Sequence, residues 1–223
     1  MTEQEQLQEI AEAVIGGNAK AAAAAVQRAL SSGIEPLSVL NTGLMRGAEA
    51  VGAKFEQGEY FLPELMLSGR ALKAAMEIVK PSLLSRYSAA DGQIKAKVVV
   101  ATVQTDIHDI GKNIVASMLT ASGFQVTDLG VDVPIKTIAD KAEEIGAQII
   151  ACSSLLTTSM PFMQDLVQLL TARGVRDRYI VIVGGPSVTE GWAKKIGADG
   201  TARNAASAVQ LARHLFLERE QHA

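Results

Sequence analysis

One cysteine, Cys152, stands in a chain of 223 residues. No disulfide can close within such a chain and no thiolate cage can hold a metal, so a metal used here has to bring other ligands with it. An excess of basic charge is missing as well. Lysine and arginine number 21 against 24 acidic residues, for a net charge of −3. No basic stripe or RNA-binding signature is present to meet a phosphate backbone, and nucleic acid is not an expected partner. No apolar run approaches a membrane span, and the opening "MTEQEQLQEI" is acidic and polar where a secretory signal is basic and then apolar. No membrane association is expected, and the location read from these features is cytoplasmic. What remains is 48% hydrophobic and 20% charged residues, an ordinary globular balance with enough length for two small cores.

The chain has two rhythms. Over residues 1–85 apolar positions recur three or four apart: Leu7, Ile10 and Val14; then Val26 and Leu30 after an alanine run; then Leu37, Leu40, Leu44, Ala48, Val51 and Phe55 following Pro36; then Leu62, Leu65, Leu72, Met76 and Val79. Four amphipathic helices with short joints predict an antiparallel four-helix bundle. From Pro81 the stripe gives way to "PSLLSRYSAADGQIK", rich in Ser, Gly and Pro, and a linker is placed at 86–95. Residues 96–223 then alternate β-rich runs with helical stretches: "KVVVATV", "FQVTDL", "AQIIACS", "YIVIVGG" and a weak "ADGTA". That alternation predicts an α/β domain, a doubly wound, flavodoxin- or Rossmann-like parallel sheet of five strands.

In such sheets a ligand lies outside the carboxyl ends of the strands, at the switch point of the strand order. "VQTDIHDIGKNI" leaves the first strand at that place and carries His108, one of only three histidines. An imidazole that ligates a metal needs its second nitrogen held by a carboxylate, and Asp106, two residues earlier, can reach it. In the order 2-1-3-4-5 the loop after strand three, "SSLLTTSM", faces this one, and a serine from it could hold the aspartate in turn. Gly111 and "GGP" at 184–186 sit on the crevice side, where a missing side chain lets a ligand approach the backbone. Cys152 falls inside an apolar strand and reads as a small core residue.

Asp106-x-His108-x-x-Gly111, Ser153-x-Leu155 and Gly184-Gly185, separated by 41 and 28 residues, resemble the cobalamin-binding signature of cobalamin-dependent methyltransferases. "VGAKFEQGEYFLPEL", residues 51–65, resembles the helical cap of the same family, so the likeness spans nearly the whole chain. It is similar in architecture to the corrinoid proteins of methanol, methylamine and methoxyarene systems and to the cobalamin module of methionine synthase. Two departures are visible: Thr105 stands where the family often has glycine, and Thr158 where it often has proline.

The resemblance implies that His108 is the metal ligand, binding cobalt in place of the cofactor's own base, with Asp106 and Ser159 completing a hydrogen-bonded triad. It implies a slot for the displaced nucleotide tail past Gly111, Ser153, Leu155 and Gly184-Gly185. Thr105, Ile107, Asp109, Thr157 and Ala205 are expected to line the corrin or tail pocket, Asn41 to approach the corrin from the cap, and Phe55 and Leu62 to cover its upper face. The implied function is a methyl carrier cycling between Co(I) and methyl-Co(III), a methyltransferase subunit rather than an enzyme complete in itself. Its implied partners are a substrate:corrinoid methyltransferase, a second methyltransferase acting on tetrahydrofolate or coenzyme M, and a reductive activating protein.

Other readings compete. A mutase subunit or a cobalamin-based sensor shares the D-x-H-x-x-G motif, but neither a barrel domain nor a DNA-binding module accompanies it here. A signalling receiver domain would share the sheet, but needs an acidic pair after its first strand and a lysine after its fifth, and "ADGTA" is followed by Arg203 and Asn204.

Overall fold

A computed structural model describes residues 1–87, Ile94 and 96–221, apart from the side chains of residues 86 and 87. The expected linker falls for the most part outside the described residues. The chain divides into two compact units, Met1–Arg86 and Tyr87–Ala223.

In the first unit, α1 (Glu3–Ile15) begins with a capping box. The Thr2 hydroxyl accepts from the Glu5 amide and the Glu5 carboxylate accepts from the Thr2 amide. α2 (Ala19–Ser31) is capped by Asn18, whose Oδ1 accepts from the Ala21 amide. Next, α3 (Pro36–Ser38) runs into a π-helical segment, Val39–Met45, and on into α4 (Arg46–Glu56). Gly43 and Gly47 let this helix press on α1: a Cβ on Gly47 would lie 2.9 Å from both the Ala11 carbonyl oxygen and Val14 Cβ. α5 (Leu62–Tyr87) continues through Pro81, so the stretch that reads as irregular from residue 81 begins as helix. Pro81 lies on the exposed side and Leu83, two residues on, is buried, so packing outweighs the hydrogen bond that proline cannot donate. Leu7, Ile10, Val14, Val26, Leu40, Leu44, Val51, Leu72, Met76 and Val79 make the core of this unit.

The second unit is a parallel sheet of β1 (Lys97–Thr102), β2 (Gln125–Asp128), β3 (Ile149–Ser153) and β4 (Ile180–Gly184) in the order 2-1-3-4. Intervening helices are α6 (Ile110–Ala121), α7 (Ile135–Ile145), α8 (Pro161–Ala172), α9 (Glu190–Lys195) and α10 (Ala205–Gln221). The fifth strand expected from "ADGTA" is not formed. Gly200 makes a single bridge to Ile182, because a run of small residues has no β-branched side chains to extend the ladder. Alternation sorts the side chains. Val99, Ala101, Val103, Ile150, Cys152, Val181 and Val183 pack with α7, α8 and α9 on one face. The opposite face, toward the packed pair α6 and α10, therefore receives Val98, Val100, Thr102, Ile149, Ala151, Ser153, Ile180, Ile182 and Gly184.

Candidate functional site

β1 ends in a loop tied down on both sides. The Val103 amide donates to the Ser153 carbonyl at 3.1 Å, and Val103 bridges Val133 after β2. Thr105 then takes a φ of 67°, and the next residue, Asp106, is wholly buried. Its carboxylate is surrounded by donors. Oδ1 accepts from the His108 amide at 3.0 Å and stands 2.7 Å from His108 Nδ1. Oδ2 accepts from the amides of Leu155 and Leu156 at 2.7 and 3.1 Å and from the Ser159 hydroxyl at 3.1 Å. Burial alone would raise the carboxyl pKa, but the hydrogen bonds from His108, Leu156 and Leu155 overcome it and bring it down to about 2. Asp106 is therefore an anion across the whole physiological range.

An acceptor-only carboxylate at Nδ1 decides the histidine tautomer: Nδ1 carries the proton and the lone pair is on Nε2. Nε2 has no hydrogen-bond partner among the described residues. The side chain is 49% exposed. The His108 carbonyl is fixed separately by the buried Thr102 hydroxyl at 2.9 Å, so backbone and ring are both held.

The loop after β3 exists to serve the carboxylate. Ser154 and Ser159 are both wholly buried, their hydroxyls 2.6 Å apart, and the Ser154 amide donates to the Gly184 carbonyl at 3.0 Å. Gly185 makes that approach feasible. Its φ is 143°, and a Cβ there would fall 1.8 Å from the Ser154 carbonyl oxygen. The absent side chain at 185 thus makes room for the protein's own backbone. At Gly111 and Gly184, by contrast, a Cβ would meet nothing within 4 Å.

On the α6/α10 face the carboxyl ends of β3 and β4 carry only Ala151, Ser153 and Gly184, small residues that are all partly exposed. Ala205 opens α10 and is buried. Around the histidine Ile107 is 73% exposed, and Leu155 and Leu156 are also exposed, an apolar collar about a polar ring. Among the described residues no three metal-ligating side chains converge, so a metal on Nε2 has to carry most of its own ligands. A half-exposed imidazole with one nitrogen locked, an apolar collar and small, partly exposed residues at the ends of β3 and β4 fit a flat metal macrocycle with a tail.

Of the residues picked out in the sequence, the structure brings together Asp106, Ile107, His108, Leu155 and Ser159. Thr105, Asp109 and Gly111 lie on the same loop and the start of α6; Ser153, Thr157, Gly184 and Gly185 lie at the carboxyl ends of β3 and β4. Asn41, in the π-helical segment, and Phe55 and Leu62 belong to the helical unit, where all three are exposed. Sequence reasoning passed over Thr102, Ser154 and Asp132, whose Oδ1 accepts from the Thr105 amide at 2.7 Å. Thr105 in a place suited to glycine is the one signal that a holder was needed. Cys152 is buried, with its thiol pushed up to about 12 by burial, and is inert.

Two family models described as B12 binding domains match the chain, over residues 96–210 and 6–80. A dimethylamine corrinoid protein of Methanosarcina acetivorans is 43% identical over 97% of this chain and 100% of its own length. The solved monomethylamine corrinoid protein of Methanosarcina barkeri is 36% identical, with a TM-score of 0.86, covering 96% of this chain and all of that one. A chain of the methanol:cobalamin methyltransferase complex of Methanosarcina barkeri is 28% identical, with a TM-score of 0.52, over 95% of this chain and 79% of that one.

Proposed function

Because the chain belongs to the B12-binding corrinoid proteins of methyltransferase systems, we propose that it carries a methyl group on cobalamin held by His108 Nε2. Bound cobalamin supplies a cobalt centre that is a strong nucleophile when reduced and a methyl donor when alkylated. The chain's own part is to hold and orient. Asp106 keeps the proton on Nδ1 and makes Nε2 a better donor, and the charge on the carboxylate is stabilised by two backbone amides and Ser159.

The tail of the cofactor is assigned to the slot bounded by Gly111, Ser153, Leu155, Thr157, Gly184 and Ala205, and the corrin rim to Thr105, Ile107 and Asp109. Phe55, Leu62 and Asn41 are assigned to the upper face. Their exposure supports this, since two large apolar side chains in water do nothing for the helical unit alone. The carrier works with a methyltransferase. The finer reading adds a substrate-specific donor enzyme, an acceptor enzyme using tetrahydrofolate or coenzyme M, and a reductive activator, all in the cytoplasm.

The observation that carries this reading is the buried, ionised Asp106 at 2.7 Å from the ring of a half-exposed histidine. Reconstitution with hydroxocobalamin tests it. The wild-type protein should take up about one corrinoid per chain, and His108→Ala should lose the protein-ligated spectrum and drop methyl transfer by at least about 100-fold, the upper range for loss of an orienting partner alone. A variant with the wild-type spectrum and rate would overturn the assignment.

A further inference from the structure

Among the described residues only two other than glycine have positive φ, Thr105 at 67° and Asp132 at 51°, and a hydrogen bond joins them. Asp132 Oδ1 accepts from the Thr105 amide at 2.7 Å, while the Asp132 amide donates to the Asp106 carbonyl at 2.9 Å. A left-handed conformation is uncommon for any residue with a side chain and is an outlier for a β-branched one such as threonine; aspartate tolerates it better. Glycine would adopt it freely, and at position 105 glycine would need no clamp.

The loop that carries Asp132 is itself anchored. Lys112 in α6, almost fully buried, grips both oxygens of Asp128 at 2.7 and 2.6 Å. Asp128 Oδ1 also accepts from the Gly130 amide at 2.9 Å, the Gly130 carbonyl accepts from the Thr102 amide, and the Val133 amide donates to the Thr102 carbonyl. Asp132 is therefore presented from a fixed frame, and its two bonds fall on the residues immediately before and at the carboxylate that orients His108. If Thr105 relaxed to negative φ, the chain would leave β1 in another direction, and Asp106 could not keep both its buried donors and the histidine.

We propose that Asp132 is a positioning residue for the ligand loop: by holding Thr105 left-handed it sets the place of Asp106 and hence of the His108 ring. This rests on the reading of His108 as the cobalt ligand. Asp132 touches neither cofactor nor substrate in this role and acts through the backbone.

The test uses the full chain labelled with ¹⁵N-histidine, loaded with hydroxocobalamin and reduced to Co(II). Electron paramagnetic resonance then distinguishes a protein imidazole on cobalt from the cofactor's own base by its nitrogen splitting. Asp132→Ala should lower the ratio of imidazole-bound to unbound cobalt by about tenfold, within the range set by strain at one such residue. Asp132→Asn, which keeps the acceptor oxygen, should retain most of it. Adding Thr105→Gly to Asp132→Ala should restore the ratio to within about twofold of wild type, because glycine removes the strain. In the apo protein, exchange of the Thr105 amide should be slow in wild type and Asp132→Asn and fast in Asp132→Ala. An unchanged ratio in Asp132→Ala, failure of the glycine variant to rescue it, or fast exchange in wild type would each overturn the proposal. If wild type loads cobalamin but shows no imidazole splitting, the assignment of His108 fails, and the proposal with it.

Discussion

The two units finish their cores in opposite ways. In the sheet unit the carboxyl end of the core holds a fully buried anion, Asp106, with five close donors from two loops around it. In the helical unit Phe55, Phe61, Leu62, Met66 and Leu67 stand about half exposed or more, with no comparable buried polar network about them among the described residues. Charge satisfaction fixes the first surface to within a hydrogen-bond length, and any loss there strands buried partners. The second costs the folded chain little to alter, because its side chains are already in water, so stability does not account for their being apolar.

Substitutions should separate the two. The largest effect is expected from Asp106→Ala, which takes a buried acceptor away from the amides of His108, Leu155 and Leu156, the His108 ring and the Ser159 hydroxyl. Urea unfolding of the apo protein should show a loss of about 3–5 kcal/mol in the sheet unit. Gly185→Ala comes next, at about 3 kcal/mol, since its Cβ collides with backbone and its φ is unfavourable for any side chain. Acid should have a smaller, graded effect. The Asp106 carboxyl is depressed from 3.8 to about 2, so its contribution is fully present above the unfolded value and lost as pH falls from about 4 to about 2. That amounts to roughly 2 kcal/mol, and Asp106→Asn should flatten this part of the acid limb. The smallest change belongs to the other unit: Phe55→Ser with Leu62→Ser should shift apo stability by no more than about 0.5 kcal/mol. The same pair, loaded with cobalamin, should inactivate faster in light. A large loss of apo stability in the serine pair would erase the contrast between the units.

Much of this was legible beforehand because it rests on side-chain identity and spacing. The runs "KVVVATV", "FQVTDL", "AQIIACS" and "YIVIVGG" became β1 to β4, and their parallel pairing followed from alternation with helices. "ADGTA" did not, because the reading counted position in the pattern and overlooked the lack of β-branched residues. At the site, a histidine beside an aspartate is visible in one dimension. The donors that keep Asp106 ionised are chiefly backbone amides, which every residue but proline possesses and no sequence pattern marks. The glycine pair was read as room for a ligand. At Gly184 space is indeed open, whereas at Gly185 the Ser154 carbonyl occupies it, a difference that only the fold can reveal.

The wide turn at Val39–Met45 has a bearing on all that follows it in the helical unit. A π-helical bulge is in effect one residue inserted into an α-helix. If the same residues wound there as regular α-helix, every later position would swing about the axis by about 100°. Val51 would then rotate out of the core, and Phe55 would point in a new direction. The bulge thus works as a phase adjuster, reconciling the stripe that packs on α1 with the separate orientation of the aromatic tip.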